Sequence, residues 1–190
     1  MFKLILDTAT KTLYAALLKD DEIFSEEYIE GRNDHAKNVV SVVEKLLKEN
    51  GITPNDLNEV YVGIGPGSYT GVRMAVTVGK MIATNTKARL YSFSSLYMMS
   101  SGYEGDVLSF IDARRGNSFN AAYSNDKIIL EEGLRSSEET FEKYNDYKKI
   151  SEDDIKVNPL KVIKNSKYEN NPHGLVPNYL RETEAERNLK

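Results

Sequence analysis

One seven-residue stretch constrains the fold more than any other: Gly65-Pro66-Gly67-Ser68-Tyr69-Thr70-Gly71. It follows the apolar run Glu59-Val60-Tyr61-Val62-Gly63-Ile64 and precedes a helical pattern from Val72 to about Thr86. Strand, glycine-rich turn and helix in that order make one step of an α/β fold. The N–H groups of such a turn, with the positive end of a helix dipole behind them, suit an anion. The spacing matches neither common phosphate motif. A Walker loop ends in Gly-Lys-Ser/Thr, whereas Gly71 is followed by Val72-Arg73. The dinucleotide spacing set by Gly63 and Gly65 needs a glycine where Ser68 stands. Two readings stay open: a phosphate cradle, or a tight turn that lets helix and strand approach closely.

Upstream, Phe2–Asp7, Thr12–Leu18 and Glu22–Ile29 read as an antiparallel meander of three strands. A helix from His35 to Asn50 follows, capped by Asn33 or Asp34 and ended by Gly51. Downstream, Arg89–Phe93 is a strand, and Ser94-Ser95 caps a short helix through Met99. Asp106–Asp112, Asn117–Ser124 and Ile128–Arg135 are strands again. This order predicts an α/β lobe over residues 1–103 and a smaller lobe over 104–190, joined near Gly102–Gly105. Beyond Ser136 the pattern fades into Glu, Lys, Asp and Asn, with one helix expected around Pro159–Tyr168.

Two acidic turns carry candidate chemistry. Asp7-Thr8-Ala9-Thr10 ends the first strand, where a carboxylate followed by hydroxyls either organises a metal–phosphate group or closes an Asx turn. Asp112-Ala113-Arg114-Arg115-Gly116 repeats the arrangement; Asp112 and Arg114 suit an ion pair, and on an extended chain the two arginines point to opposite sides. The chain has no cysteine, which excludes disulfides, thiolate metal sites and a Cys nucleophile. Its two histidines, His35 and His173, form no His-x-x-x-His pair, and Ser68 lacks the Gly-x-Ser-x-Gly elbow. Net charge is −4, with 11 basic against 15 acidic residues in 1–112, so the chain lacks the basic footprint of a protein that holds RNA or DNA alone. Leu4-Ile5-Leu6 is too short for a signal segment or a membrane span, so the expected location is the cytoplasm.

The long helices are apolar on more than one side. In the first, Ala36, Val39, Val40, Val43 and Leu47 form one face, with Val42 and Leu46 beside it. In the second, Val72, Ala75, Val76, Gly79, Ile82 and Ala83 form one face, and Met74, Val78 and Met81 another. A helix that covers one sheet needs only one apolar stripe. Either the rest of the chain covers the second faces or another protein does. The scarcity of other strong helices favours an interface at Val39, Val42, Leu46, Met74, Val78 and Met81. Gly79 inside a helix costs about 1 kcal/mol against alanine, which points to a backbone approach too close for a side chain.

Five segments then share one pattern: Ile5-Leu6-Asp7-Thr8, Gly65 to Arg73, Ser94-Ser95-Leu96, Asp112-Ala113-Arg114-Arg115, and Pro177-Asn178-Tyr179-Leu180-Arg181. In this order they closely resemble the bacterial TsaB (YeaZ) family. The resemblance implies an α/β, actin-like ATPase fold (ASKHA, ribonuclease H-like) with two lobes, the second reduced because Asp112 to Pro177 is short for the family. It implies a non-catalytic scaffold that binds and activates a TsaD-like paralogue as a heterodimer. The complex carries out threonylcarbamoylation of adenosine 37 (t6A) in tRNAs reading ANN codons. The paralogue holds the metal-binding His pair, and a TsaE-like ATPase completes the assembly. This subunit then requires no cofactor and holds no metal; ATP and Mg are used by the complex, and tRNA is met only through it. A homodimer through the same apolar faces is a further alternative. The competing reading is an ATPase or phosphotransferase of the actin-like class, with Asp7, Thr8, Gly65, Gly67, Ser68 and Asp112 around the phosphates. Ala9 counts against it, because active relatives carry glycine there. Without metal ligands, the family's glycoprotease-like cataloguing does not imply peptidase activity.

Overall fold

The computed structural model describes residues 1–31 and 35–180. Along the chain run β1 (Phe2–Asp7), β2 (Thr12–Lys19), β3 (Glu22–Glu30), α1 (His35–Glu49), β4 (Leu57–Gly63), α2 (Tyr69–Asn85), β5 (Arg89–Phe93) and α3 (Ser95–Ser100). They are followed by β6 (Asp106–Asp112), β7 (Asn117–Ser124), β8 (Lys127–Ser136), α4 (Ser137–Lys143), β9 (Lys148–Ile150), α5 (Pro159–Lys164) and β10 (Lys167–Tyr168).

The first sheet has the order β10-β5-β4-β1-β2-β3, with β2 antiparallel to β1 and β3, and β4 parallel to β1 and β5. The run β3-β2-β1-β4-β5 is the ribonuclease H-like order of the actin-like fold, as the resemblance implied. Strand periodicity builds two cores on this sheet. Leu4 and Leu6 of β1 with Leu13, Ala15 and Leu17 of β2 point into the first, where α1 and α2 lie side by side. Ile5, Tyr14, Ala16 and Leu18 point into the second. That core is shared with α3, with Val162 of α5 and with Val107, Ile111, Phe119 and Tyr123 of the second sheet.

The second sheet runs β8-β7-β6-β9, antiparallel twice and then parallel, which repeats the pattern β3-β2-β1-β4. The expected division at 103/104 falls in the turn before β6, and Lys167–Tyr168 returns to pair with β5. Past Ser136 the sequence predicted one helix, whereas the structure adds α4, β9 and β10 as well. All are short and charged, too brief to show a period. Local capping holds α4: the Ser136 hydroxyl accepts from the Glu139 N–H, and two glutamates occupy its first turn.

The helix faces differ from the sequence reading. The buried side of α1 is Val39, Val42, Val43, Leu46 and Leu47, a spacing of three and four, and Val40 is 54% exposed. Val39, Val42, Leu46 and Val78 therefore pack inside this chain's own first core instead of facing a partner. The two helices, laid side by side on the sheet, supply each other's second cover. Met74 is half-buried against that core and Met81 is 55% exposed. Gly79 behaves as predicted: a Cβ there would lie 2.4 Å from Val62 Cγ1. The expected caps Asn33 and Asp34 lie outside the described residues.

One buried hydroxyl lacks a partner. Ser109 in the middle of β6 is 0% exposed, and among the described residues its Oγ makes no hydrogen bond. Removing an unsatisfied buried hydroxyl recovers its desolvation penalty, so Ser109→Ala should stabilise the protein by about 1 kcal/mol. Urea midpoints that rise at constant slope would show this.

Candidate functional site

The glycine loop closes directly onto the turn after β1. Ser68 starts α2 as its N-cap, its Oγ accepting from the Gly71 N–H at 3.3 Å. The helix thus begins at Tyr69, three residues ahead of the predicted Val72. Gly65 has φ +95°, a conformation that favours glycine. Gly67 and Gly71 are required by proximity: added Cβ atoms would lie 2.3 Å from Ala9 O and 2.0 Å from Thr8 O.

The polar groups expected around a phosphate bind one another. The Ser68 N–H donates to Ala9 O at 2.7 Å, the Gly65 N–H to Ser95 Oγ at 3.1 Å, and the Val72 N–H to Ser68 O at 2.9 Å. The Thr8 hydroxyl donates to Gly71 O at 2.6 Å and accepts from the Ala75 N–H at 3.1 Å. Asp7 is fully buried; its Oδ1 accepts from the Ala9 N–H at 2.9 Å, closing an Asx turn, and its Oδ2 accepts from the Ser95 hydroxyl. Asp7, Thr8, Gly65, Gly67 and Ser68 are therefore brought together, and the chain's own backbone occupies the space between them.

Asp112 stands at the equivalent end of β6 and is exposed. Its Oδ1 accepts from the Arg114 backbone N–H at 2.8 Å, a second Asx turn in place of the expected ion pair. Arg114 and Arg115 are not extended: both are left-handed, at φ +65° and +57°, in a tight hairpin. Near Asp112 the Glu152 carboxylate accepts from the Lys11 N–H at 3.0 Å, and Lys11 Nζ pairs with Asp153. Burial pushes the Glu152 carboxyl up, eased by the Lys11 N–H. Among the described residues no group of three His, Asp or Glu side chains is placed to hold a metal ion.

The exposed face of α2 carries Tyr69, Arg73, Thr77 and Met81 at every fourth position. Tyr69 is flanked by Arg73 at 5.3 Å and by Tyr179 at 5.1 Å between ring centroids. Tyr179 belongs to a tail segment strapped across α2. Lys80 Nζ donates to the carbonyls of His173 and Leu175 at 3.0 and 2.9 Å, Leu175 enters the first core, and the Asn178 N–H donates to Ile64 O at 2.7 Å. Sequence reasoning missed Glu132, which lies beneath this tail. The only signal was a pair of glutamates interrupting the apolar start of β8. Arg181 lies outside the described residues.

Burial also raises the Glu132 carboxyl, opposed by its hydrogen bonds to Ser94 and Asn178. A carboxyl raised in the folded state contributes stability that is complete below its unfolded value and lost as pH rises through the folded one. Relative to Glu132→Gln, which cannot titrate, the wild type should therefore gain as pH falls from neutrality toward the ordinary value of 4.5. Paired urea titrations across that window would detect it, and a constant difference would rule it out.

The family model described as TsaD, tRNA N6-adenosine threonylcarbamoyltransferase, matches residues 30–158. The TsaB tRNA threonylcarbamoyladenosine biosynthesis protein of Bacillus subtilis is 33% identical over 132 residues, covering 68% of this chain and 58% of that protein. The chain thus spans less than two thirds of that relative. The structure of YeaZ from Pseudomonas aeruginosa superposes with a TM-score of 0.65 at 26% identity, over 71% of this chain and 67% of that one. A second structure, of an uncharacterised protein with similarity to peptidase YEAZ from Pseudomonas aeruginosa, superposes with a TM-score of 0.78 over 95% of this chain and 99% of that one. Its 20% identity speaks to the fold alone.

Proposed function

Because the chain belongs to the TsaB (YeaZ) family, we propose that it is a non-catalytic scaffold that docks a TsaD-like protein for the t6A modification of adenosine 37 in tRNAs reading ANN codons. The observation that carries this reading is the state of the glycine loop, where the Gly65, Ser68 and Gly71 N–H groups and the Thr8 and Ser95 hydroxyls are bound within the chain. Bonds of this kind support a loop that positions a helix over one that cradles a phosphate.

The docking surface is the exposed side of the α1–α2 pair, with Val40, Tyr69, Arg73 and Met81 outward. The family model named for TsaD spans both helices, which supports an occupant of related fold. Two related folds can present matching helix pairs about a common axis. In this reading a TsaE-like ATPase joins the complex, ATP and Mg are used there, and tRNA is met only through it. The site of action is the cytoplasm, where tRNA is found; no described helix is long and apolar enough to cross a membrane.

Mixing the chain with a TsaD-like protein should give the summed mass by light scattering. Val40→Glu and Met81→Glu, both at exposed positions, should fold normally and weaken that association by about tenfold or more, as charges in the centre of an interface do. Two separate monomers, or a homodimer that persists beside the partner, would overturn the proposal. The ATPase reading makes the opposite forecast in calorimetry: micromolar Mg-ATP binding with turnover by the chain alone.

A further inference from the structure

Glu132 joins three parts of the chain that are remote in sequence. It lies on β8, the edge strand of the second sheet. Its Oε1 accepts from the Ser94 hydroxyl, and Ser94 Oγ also caps α3 by accepting from the Tyr97 N–H at 3.0 Å. Its Oε2 accepts from Asn178 Nδ2 at 2.8 Å. Among the described residues no lysine or arginine forms an ion pair with it. A half-buried carboxylate with neutral donors alone is a costly choice for stability and a strongly directional one for geometry.

What it holds is the tail. Asn178 sits between the clasp and Ile64 O, and the next residue, Tyr179, lies against Tyr69, which in turn carries Arg73. On the other side Leu180 packs into the second core. Releasing Asn178 would free Tyr179 from the end of α2.

We propose that Glu132 is a positioning residue for the partner-docking face, tying β8, the α3 cap and the tail together so that Tyr179 is fixed against Tyr69 and Arg73. This rests on the reading of that face as the docking surface. The residue acts through Asn178 and does not itself reach the partner.

The test exchanges the partners of the clasp. Asn178→Asp sets carboxylate against carboxylate. The double variant Glu132→Gln with Asn178→Asp restores an amide–carboxylate pair in reverse, and the carbonyl oxygen of the new amide at position 132 can still accept from Ser94. Hydrogen exchange at the Asn178 amide should quicken by about tenfold or more in Asn178→Asp, and return to within about threefold of wild type in the double variant. Exchange in β1 and β2 should stay unchanged, which separates loss of the clasp from general unfolding. Affinity for the TsaD-like protein should fall and recover in parallel, by about tenfold each way. Unchanged exchange in the single variant, or failure of the double variant to restore it, overturns the clasp. So does affinity that ignores both changes. If the wild type itself binds no TsaD-like protein, the docking reading falls and the role proposed for Glu132 falls with it; exchange at Asn178 then shows whether the clasp survives as a purely structural device.

Discussion

Gly71→Ala is expected to cost about 3 kcal/mol or more, enough to leave much of a marginally stable domain unfolded. The added methyl would lie 2.0 Å from the Thr8 carbonyl oxygen, a backbone atom that cannot swing aside as a side-chain end can. To make room, α2 must separate from the turn after β1. That movement also breaks the bridge from the Thr8 hydroxyl to Gly71 O and the Ala75 N–H. Gly51→Ala supplies the control. Gly51 has φ +67° but nothing within 4 Å of an added Cβ, so only the left-handed backbone is penalised, by about 1 kcal/mol. Thermal or urea melts of the pair should differ severalfold in their shifts. Similar shifts would mean that the loop yields easily and that its glycines serve something other than close packing.

Leu46→Glu and Val78→Glu should each abolish folding, whereas Met81→Glu, three residues along α2, should leave it intact. Leu46 and Val78 sit in the first core among Leu4, Leu13, Val60 and Val62. A carboxylate there is either unpaired or forced to protonate, and an uncompensated buried charge costs about 3–5 kcal/mol on top of the lost packing. Met81 faces solvent over half its surface. Circular dichroism of the three variants separates the sides of the helix in one experiment. Folded Leu46→Glu or Val78→Glu would return these residues to the candidate interface where helical periodicity alone had placed them.

That contrast shows what the sequence could convey. The apolar runs Leu4-Ile5-Leu6 and Leu13–Leu18, each bounded by turn residues, are an intrinsic signal of strands, and they placed β1 and β2 correctly. Gly79 was legible because a glycine inside a helix asks for a cause, and Val62 supplies it. The azimuth of a helix is harder to read. With Val39, Val40, Val42 and Val43 all apolar, two neighbouring stripes fit equally well until the sheet below selects one. The candidate loop was visible, but its state was not: whether N–H groups face an anion or Ala9 O depends on a contact made 59 residues away in the chain. Glu132 left only the glutamate pair in β8 as a trace, because a hydrogen-bond clasp needs no spacing rule, only three segments that meet.

The strap that carries Leu175 and Asn178 bears on how the protein comes off the ribosome. Its tie to α2 through Lys80 spans 95 residues, and the tie from Ser92 of β5 to Glu169 just ahead of it spans 77. When β1 to β5 have emerged from the exit tunnel, the side of α2 that will receive Leu175 is still bare, and β5 is an open edge. Contacts this distant in sequence carry a large loop-closure cost and form late. The nascent first sheet therefore waits, partly unsealed, for a segment synthesised long after it. During that interval its greasy surface is the natural target for chaperones or for misassembly with other chains.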